Sequence, residues 1–125
     1  MASILIIDDS SYMRGKIRTI LKSENHEIFE AADGMKGLQM ASSGTYDLIL
    51  LDIIMPGMDG VKILGAIRQL GPEPPVIIIT ADIQESVYRQ CIELGAFAVI
   101  HKPPKEEELM SRVSQALALG KERRR

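Results

Sequence analysis

A chain of 125 residues suits one domain, and 46% hydrophobic with 26% charged residues is the balance of a folded globule, not of a disordered segment. Fifteen Lys and Arg against seventeen Asp and Glu give a net charge of −2, which argues against a surface built to neutralise nucleic-acid phosphates. One cysteine, Cys91, excludes an internal disulfide and a cysteine-rich zinc centre, and no apolar run reaches the roughly eighteen residues of a membrane span.

The first element in chain order is the apolar run Ile4–Ile7, of strand length. Asp8 and Asp9 cut it short, so no signal peptide is expected and a cytoplasmic location is. Ser10 and Ser11, candidate N-caps, open a helix whose apolar face is Met13, Ile17, Ile20 and Leu21. Glu27–Ala31 is mixed in polarity and predicts an edge strand. Asp33-Gly34 enters a second helix along Met35, Leu38 and Ala41, followed by the apolar run Leu48–Leu51. Val61, Leu64 and Ile67 mark a third helix, ended by Gly71-Pro72 and Pro74-Pro75. The run Val76–Ile79 comes next. Ile83, Val87, Cys91 and Leu94 then mark a fourth helix, stopped by Gly95 at C′. The last run, Phe97–Ile100, leads to a fifth helix that opens on Glu106-Glu107-Glu108 and carries Leu109, Val113, Ala116 and Leu117. Residues 1–120 are expected to form the domain and 121–125 a solvated, charged tail.

The four apolar runs lack the alternation of half-exposed strands, so both faces of each are expected to be covered. Strand and helix alternating about five times predict an α/β fold: a doubly wound, five-stranded parallel sheet with about five helices. In such sheets ligands bind at the carboxyl ends of the strands. Those ends here are Asp8-Asp9, Asp52, Thr80 and His101-Lys102. Three crowded aspartates repel one another unless a cation enters, and few carboxylates plus water suit Mg²⁺. Three Asp and one Lys sum to about −2, which Mg²⁺ neutralises, so the edge is fit to receive a phosphoryl group held by Lys102 and Thr80. A carboxylate is also a competent nucleophile toward phosphorus.

The pieces Ile6-Ile7-Asp8-Asp9, Leu50-Leu51-Asp52, Met55-Pro56-Gly57-Met58-Asp59-Gly60, Thr80-Ala81 and Lys102-Pro103 resemble, in order and spacing, the receiver domain of two-component response regulators of the CheY-like, flavodoxin-like type. The resemblance runs from about Ser3 to Leu119 and implies strand order 2-1-3-4-5. It implies that Asp52 accepts a phosphoryl group from a sensor histidine kinase or a histidine phosphotransferase. It further implies Asp9 as a direct Mg²⁺ ligand, with Mn²⁺ as an alternative ion, Asp8 acting through water, and the backbone carbonyl of Ile54 completing the set. Thr80 and Lys102 would hold the phosphoryl group, and Lys102-Pro103 is a candidate cis bond. The implied protein is a single-domain phosphoacceptor switch, not an enzyme that turns over other substrates. Its protein target would meet the face of helix four, strand five and helix five, with no nucleic acid or membrane involved, as a monomer or weak homodimer. A relay intermediate that passes phosphate to a histidine phosphotransferase is the alternative, and a receiver cut from a larger regulator is another.

Two positions depart from the family pattern. Val99 stands where an aromatic is usual, with Phe97 two residues earlier and expected on the same side of the strand, so switching is expected to rest on Thr80 and loop movement. Ile54, two residues after Asp52, has no polar group to orient a hydrolytic water, which predicts slow self-dephosphorylation. Asp33 and Asp59 read as turn and cap residues. His26 is expected to be exposed, His101 to face away from the site, and Met13, Met35 and Met40 to be core or half-buried. A haloacid-dehalogenase-type phosphatase wants a second aspartate two residues after its nucleophile; those positions are Ile54 and Ser10.

Overall fold

The computed structural model describes residues 2–82 and 84–123. Five strands, β1 (Ser3–Ile7), β2 (Glu27–Ala31), β3 (Leu48–Leu51), β4 (Val76–Thr80) and β5 (Ala98–His101), form one parallel sheet in the order β2-β1-β3-β4-β5. Five helices connect and flank them: α1 (Ser11–Lys22), α2 (Gly34–Ser43), α3 (Gly60–Gln69), α4 (Glu85–Glu93) and α5 (Glu106–Arg123). A two-residue antiparallel ladder, Ile54–Met55 with Met58–Asp59, bridges β3 to α3.

The continuous apolar strands are sandwiched, as two-sided burial requires. Leu5, Ile7, Ile49, Leu51 and Ile78 face Leu38 of α2, Ile63, Leu64 and Ile67 of α3, and Cys91 of α4. Ile4, Ile6, Leu50, Ile77 and Ile79 face Ile17 and Leu21 of α1, and Leu109, Val113 and Ala116 of α5. The register aligns Ile7 with Ala31 and with Leu51, so the residues that follow β1 and β3 emerge side by side.

Capping sets where the helices turn away from that edge. The Ser10 hydroxyl accepts from the Met13 N–H, Asp33 from Lys36, and Asp59 from Val61. Gly60, behind the Asp59 cap, is demanded by close approach: a Cβ there would lie 2.2 Å from the Ile53 Cα and 2.4 Å from its carbonyl oxygen. The loop after Asp52 thus rests directly on the first turn of α3.

Several sequence expectations change. Met35 is 62% exposed; the inward face of α2 is Gly34, Gly37, Leu38 and Ala41, because a side chain at Gly37 would meet Ile7 at 2.5 Å and one at Gly34 would meet Ile63 and Met58 at 3.0 Å. His26 is half-buried rather than exposed. Its Nδ1 accepts from the Ala2 N–H, and burial holds its pKa below the ordinary value against the opposing charges of Glu24 and Asp47. Phe97 precedes β5, so strand alternation does not govern it: it packs with Ala98 and Ile100 on the α1/α5 side, while Val99 packs on the α4 side. Ile83 lies outside the described residues, and α4 begins at Glu85. Gly95 takes the expected C′ place, at φ 95°. α5 runs through Arg123 without a break at 120; Arg124 and Arg125 lie outside the described residues. Among the described residues, no helix is long and apolar enough to cross a membrane.

Gly60→Ala is expected to destabilise the fold by about 3 kcal/mol in urea titrations, because backbone rather than a flexible side chain must yield.

Candidate functional site

The carboxyl ends of β1, β3, β4 and β5 bring the predicted residues together. Asp8 and Asp52 are buried, at 2% and 3% exposure, whereas Asp9 faces solvent. One carboxylate oxygen from each of the three lies within 4.8 Å of the others. The Lys102 Nζ reaches Asp8 Oδ2 at 2.9 Å and Asp52 Oδ2 at 3.0 Å. The second oxygens are held by backbone: Asp8 Oδ1 accepts from Ser10 N–H at 2.9 Å and Asp52 Oδ1 from Ile54 N–H at 3.0 Å. Ladder bonds Asp52 N–H to Ile7 O and Lys102 N–H to Thr80 O carry the rigidity of the sheet into the site. The Lys102–Pro103 bond is cis, as expected.

Asp52 and Lys102 both have raised pKa values, for different reasons. Burial pushes the Asp52 carboxyl above its ordinary value and the charge of Asp8 adds to this, against the Ile54 N–H and Lys102. For Lys102 burial pulls the other way, but its bonds to Asp8 and Asp52 outweigh it and leave the ammonium raised. The oxygen donors Asp8, Asp9 and Asp52 form a group that could hold a metal ion, and hard carboxylate oxygens beside open solvent at Asp9 fit Mg²⁺ with part of its water retained.

Thr80 is buried at the end of β4, and its Oγ1 accepts from the Asp82 N–H at 3.0 Å. Beside it opens a cavity of about 320 Å³ lined by Asp82, Glu85, Tyr88, Val99 and His101. His101 therefore lines the space next to Thr80 instead of facing away, because it shares the Val99 side of β5. Ile54 lends its N–H to Asp52 while its side chain is 51% exposed.

Sequence reasoning passed over Arg14. Its Nη1 donates to the Asp8 carbonyl oxygen at 2.6 Å and its Nε to Glu30 Oε1 at 2.9 Å; Glu30 also pairs with Arg18. The signal was available in the helical spacing. Positions 14, 17 and 21 share a face, and Ile17 and Leu21 are core, so an arginine there is directed at the sheet.

The fold that carries this edge is found in known proteins. The model of the response regulator receiver domain matches residues 4–114, and the chain belongs to that family. Protein CcdB of Bacillus subtilis is 38% identical over 118 residues, which cover 94% of this chain and 98% of that protein. Sporulation initiation phosphotransferase F of Bacillus subtilis is 34% identical, covering 93% of this chain and 94% of that one. A CheY-like response regulator receiver domain protein of Methanospirillum hungatei superposes with a TM-score of 0.93 at 27% identity, covering 98% of each chain. The chain spans about half the length of the transcriptional regulators it also matches. This is a receiver domain of the two-component response regulators, a class that works in signal transduction.

Replacing Lys102 with Met leaves two buried carboxylates without their cation, and is expected to lower stability in EDTA by about 3 kcal/mol. Because its pKa is raised, the ammonium's contribution is complete below the ordinary lysine value of 10.5 and is lost only as pH climbs through the raised one, so the native protein should fall towards the variant's stability only above pH 10.5. Thermal melts should show Mg²⁺ restoring more stability to the variant than it adds to the native protein.

Proposed function

We propose that this receiver is a phosphoacceptor switch in which Asp52 takes a phosphoryl group from a histidine kinase or histidine phosphotransferase. The observation that carries the reading is the convergence of Asp8, Asp9, Asp52 and Lys102 on one strand edge, three carboxylates against one ammonium. A carboxylate oxygen of Asp52 attacks phosphorus, the P–O bond forms as the P–N bond of the phosphohistidine breaks, and the departing imidazole takes the electron pair and then a proton. Held by Asp9, Asp52 and the Ile54 carbonyl, with Asp8 acting through water, Mg²⁺ would neutralise the charge of the phosphoryl oxygens. Lys102 already touches the acceptor and stays beside it, and the Ile54 N–H steadies Asp52 during attack.

Phosphorylation adds negative charge and acceptor oxygens next to Thr80, whose hydroxyl then has reason to leave Asp82 and donate to the phosphoryl group. The adjoining cavity gives that side chain and its loop room to move, and Val99 responds less than an aromatic would. The change reaches the α4–β5–α5 face, where Tyr88 is half-exposed, and alters its affinity for a protein target. A second reading, transfer of the phosphate onward to a histidine phosphotransferase, is favoured by the end-to-end similarity to sporulation initiation phosphotransferase F.

Incubation with acetyl phosphate and Mg²⁺ is expected to add one phosphoryl group by intact mass. Asp52→Asn, or EDTA, is expected to abolish the adduct. An unchanged adduct on Asp52→Asn would overturn the reading.

The lifetime of the phosphate is a separate expectation. Exposed Ile54 offers water no hydrogen bond, so the adduct should be long-lived, and Ile54→Asn should shorten its half-life severalfold when followed by loss of the mass adduct.

A further inference from the structure

The Asp8 carbonyl belongs to the same rigid peptide plane as the Asp9 N–H, so whatever holds that oxygen also orients the backbone from which the Asp9 carboxylate projects. Asp9 needs such help. Asp8 and Asp52 are fixed by Lys102 and by backbone N–H groups, whereas the Asp9 carboxylate is exposed and has no partner among the described residues. The group on the Asp8 carbonyl is the Arg14 guanidinium, at 2.6 Å and itself mostly buried. Its other arm is tied to Glu30 on β2, and Glu30 is tied in turn to Arg18. One guanidinium thus joins α1, the end of β1 and the edge strand β2, and Glu30 balances its charge so that it does not repel a cation at the aspartates.

We propose that Arg14 is a positioning residue for the divalent cation: by clamping the Asp8–Asp9 peptide it pre-orients Asp9, with Glu30 as the counter-charge that holds the clamp. The proposal rests on the reading of Asp8, Asp9 and Asp52 as the cation site. Arg14 touches neither the ion nor the phosphoryl group. Its loss therefore weakens cation binding without removing a ligand, in the way that partners behind metal ligands commonly shift affinity by about 10–100-fold. Arg18, whose side chain is 49% exposed, joins only the far side of Glu30, and its removal leaves the clamp in place.

The test is Mn²⁺ affinity, followed by electron paramagnetic resonance on the full chain, alongside thermal melts in EDTA. Arg14→Ala is expected to weaken Mn²⁺ at least about tenfold at a temperature where the melt shows the variant folded. Arg14→Lys keeps one donor for the Asp8 carbonyl and should recover part of the loss, while Arg18→Ala should remain within twofold of the native chain. An Arg14→Ala variant that melts earlier but binds Mn²⁺ as the native chain does would show a merely structural arginine and overturn the proposal. So would equal weakening by Arg14→Ala and Arg14→Lys. Native protein that binds no Mn²⁺ would overturn the cation-site reading itself, and with it this proposal; that outcome is distinct because it involves no variant.

Discussion

Two buried carboxylates, Asp8 and Asp52, share a single ammonium, and the carboxyl edge of the sheet is organised around that shortage of positive charge. Lys102 can serve both only because β1 and β3 are adjacent and in register, while β5 ends two strands away from β3 and sends its next residue back across β4. Backbone N–H groups of Ser10 and Ile54 take the remaining oxygens, so neither buried carboxylate is abandoned. Yet the balance is incomplete, since Asp52 still has its pKa raised by burial. An edge held in this state favours any ligand that brings positive charge.

The rest of the fold keeps that edge rigid. Parallel strands sandwiched between helices have little freedom to slide, because every residue of β1, β3 and β4 beyond Ser3 is buried. The rigidity is carried outward by specific contacts: α3 supports the loop after Asp52 through the bare backbone of Gly60, and Arg14 reaches from α1 to the last carbonyl before Asp9. The side of the edge that faces α4 is built differently. Thr80 borders open volume, and Tyr88, Val99 and His101 surround it without filling it. Rigid acidic residues next to an unfilled cavity divide the site into a part suited to receiving charge and a part with room to respond.

Much of this was legible in residue order. Apolar runs without alternation can be satisfied only by two-sided burial, and Asp8, Asp9, Asp52, Thr80 and Lys102 follow directly on such runs, so strand number, sheet type and the composition of the edge could be read from the chain. Caps were legible for the same local reason: Ser10, Asp33 and Asp59 bond to amides two or three residues away.

What escaped the chain depends on packing between distant segments. Met35 looked like part of a core stripe, but α2 approaches β1 so closely that only glycine fits at Gly37, and the helix rotates Met35 into solvent. Phe97 and Val99 look like partners on one face until the register with β4 is known, and that pairing begins only at Ala98. The environment of His26 depends on Ala2, 24 residues away, and the role of Arg14 on Asp8 and Glu30, which only the pairing of β1 with β2 brings within its reach. Local chemistry and hydrophobic period act over a few residues and are written in their order, whereas a hydrogen bond across elements, a close approach or a cavity exists only once the whole sheet has closed.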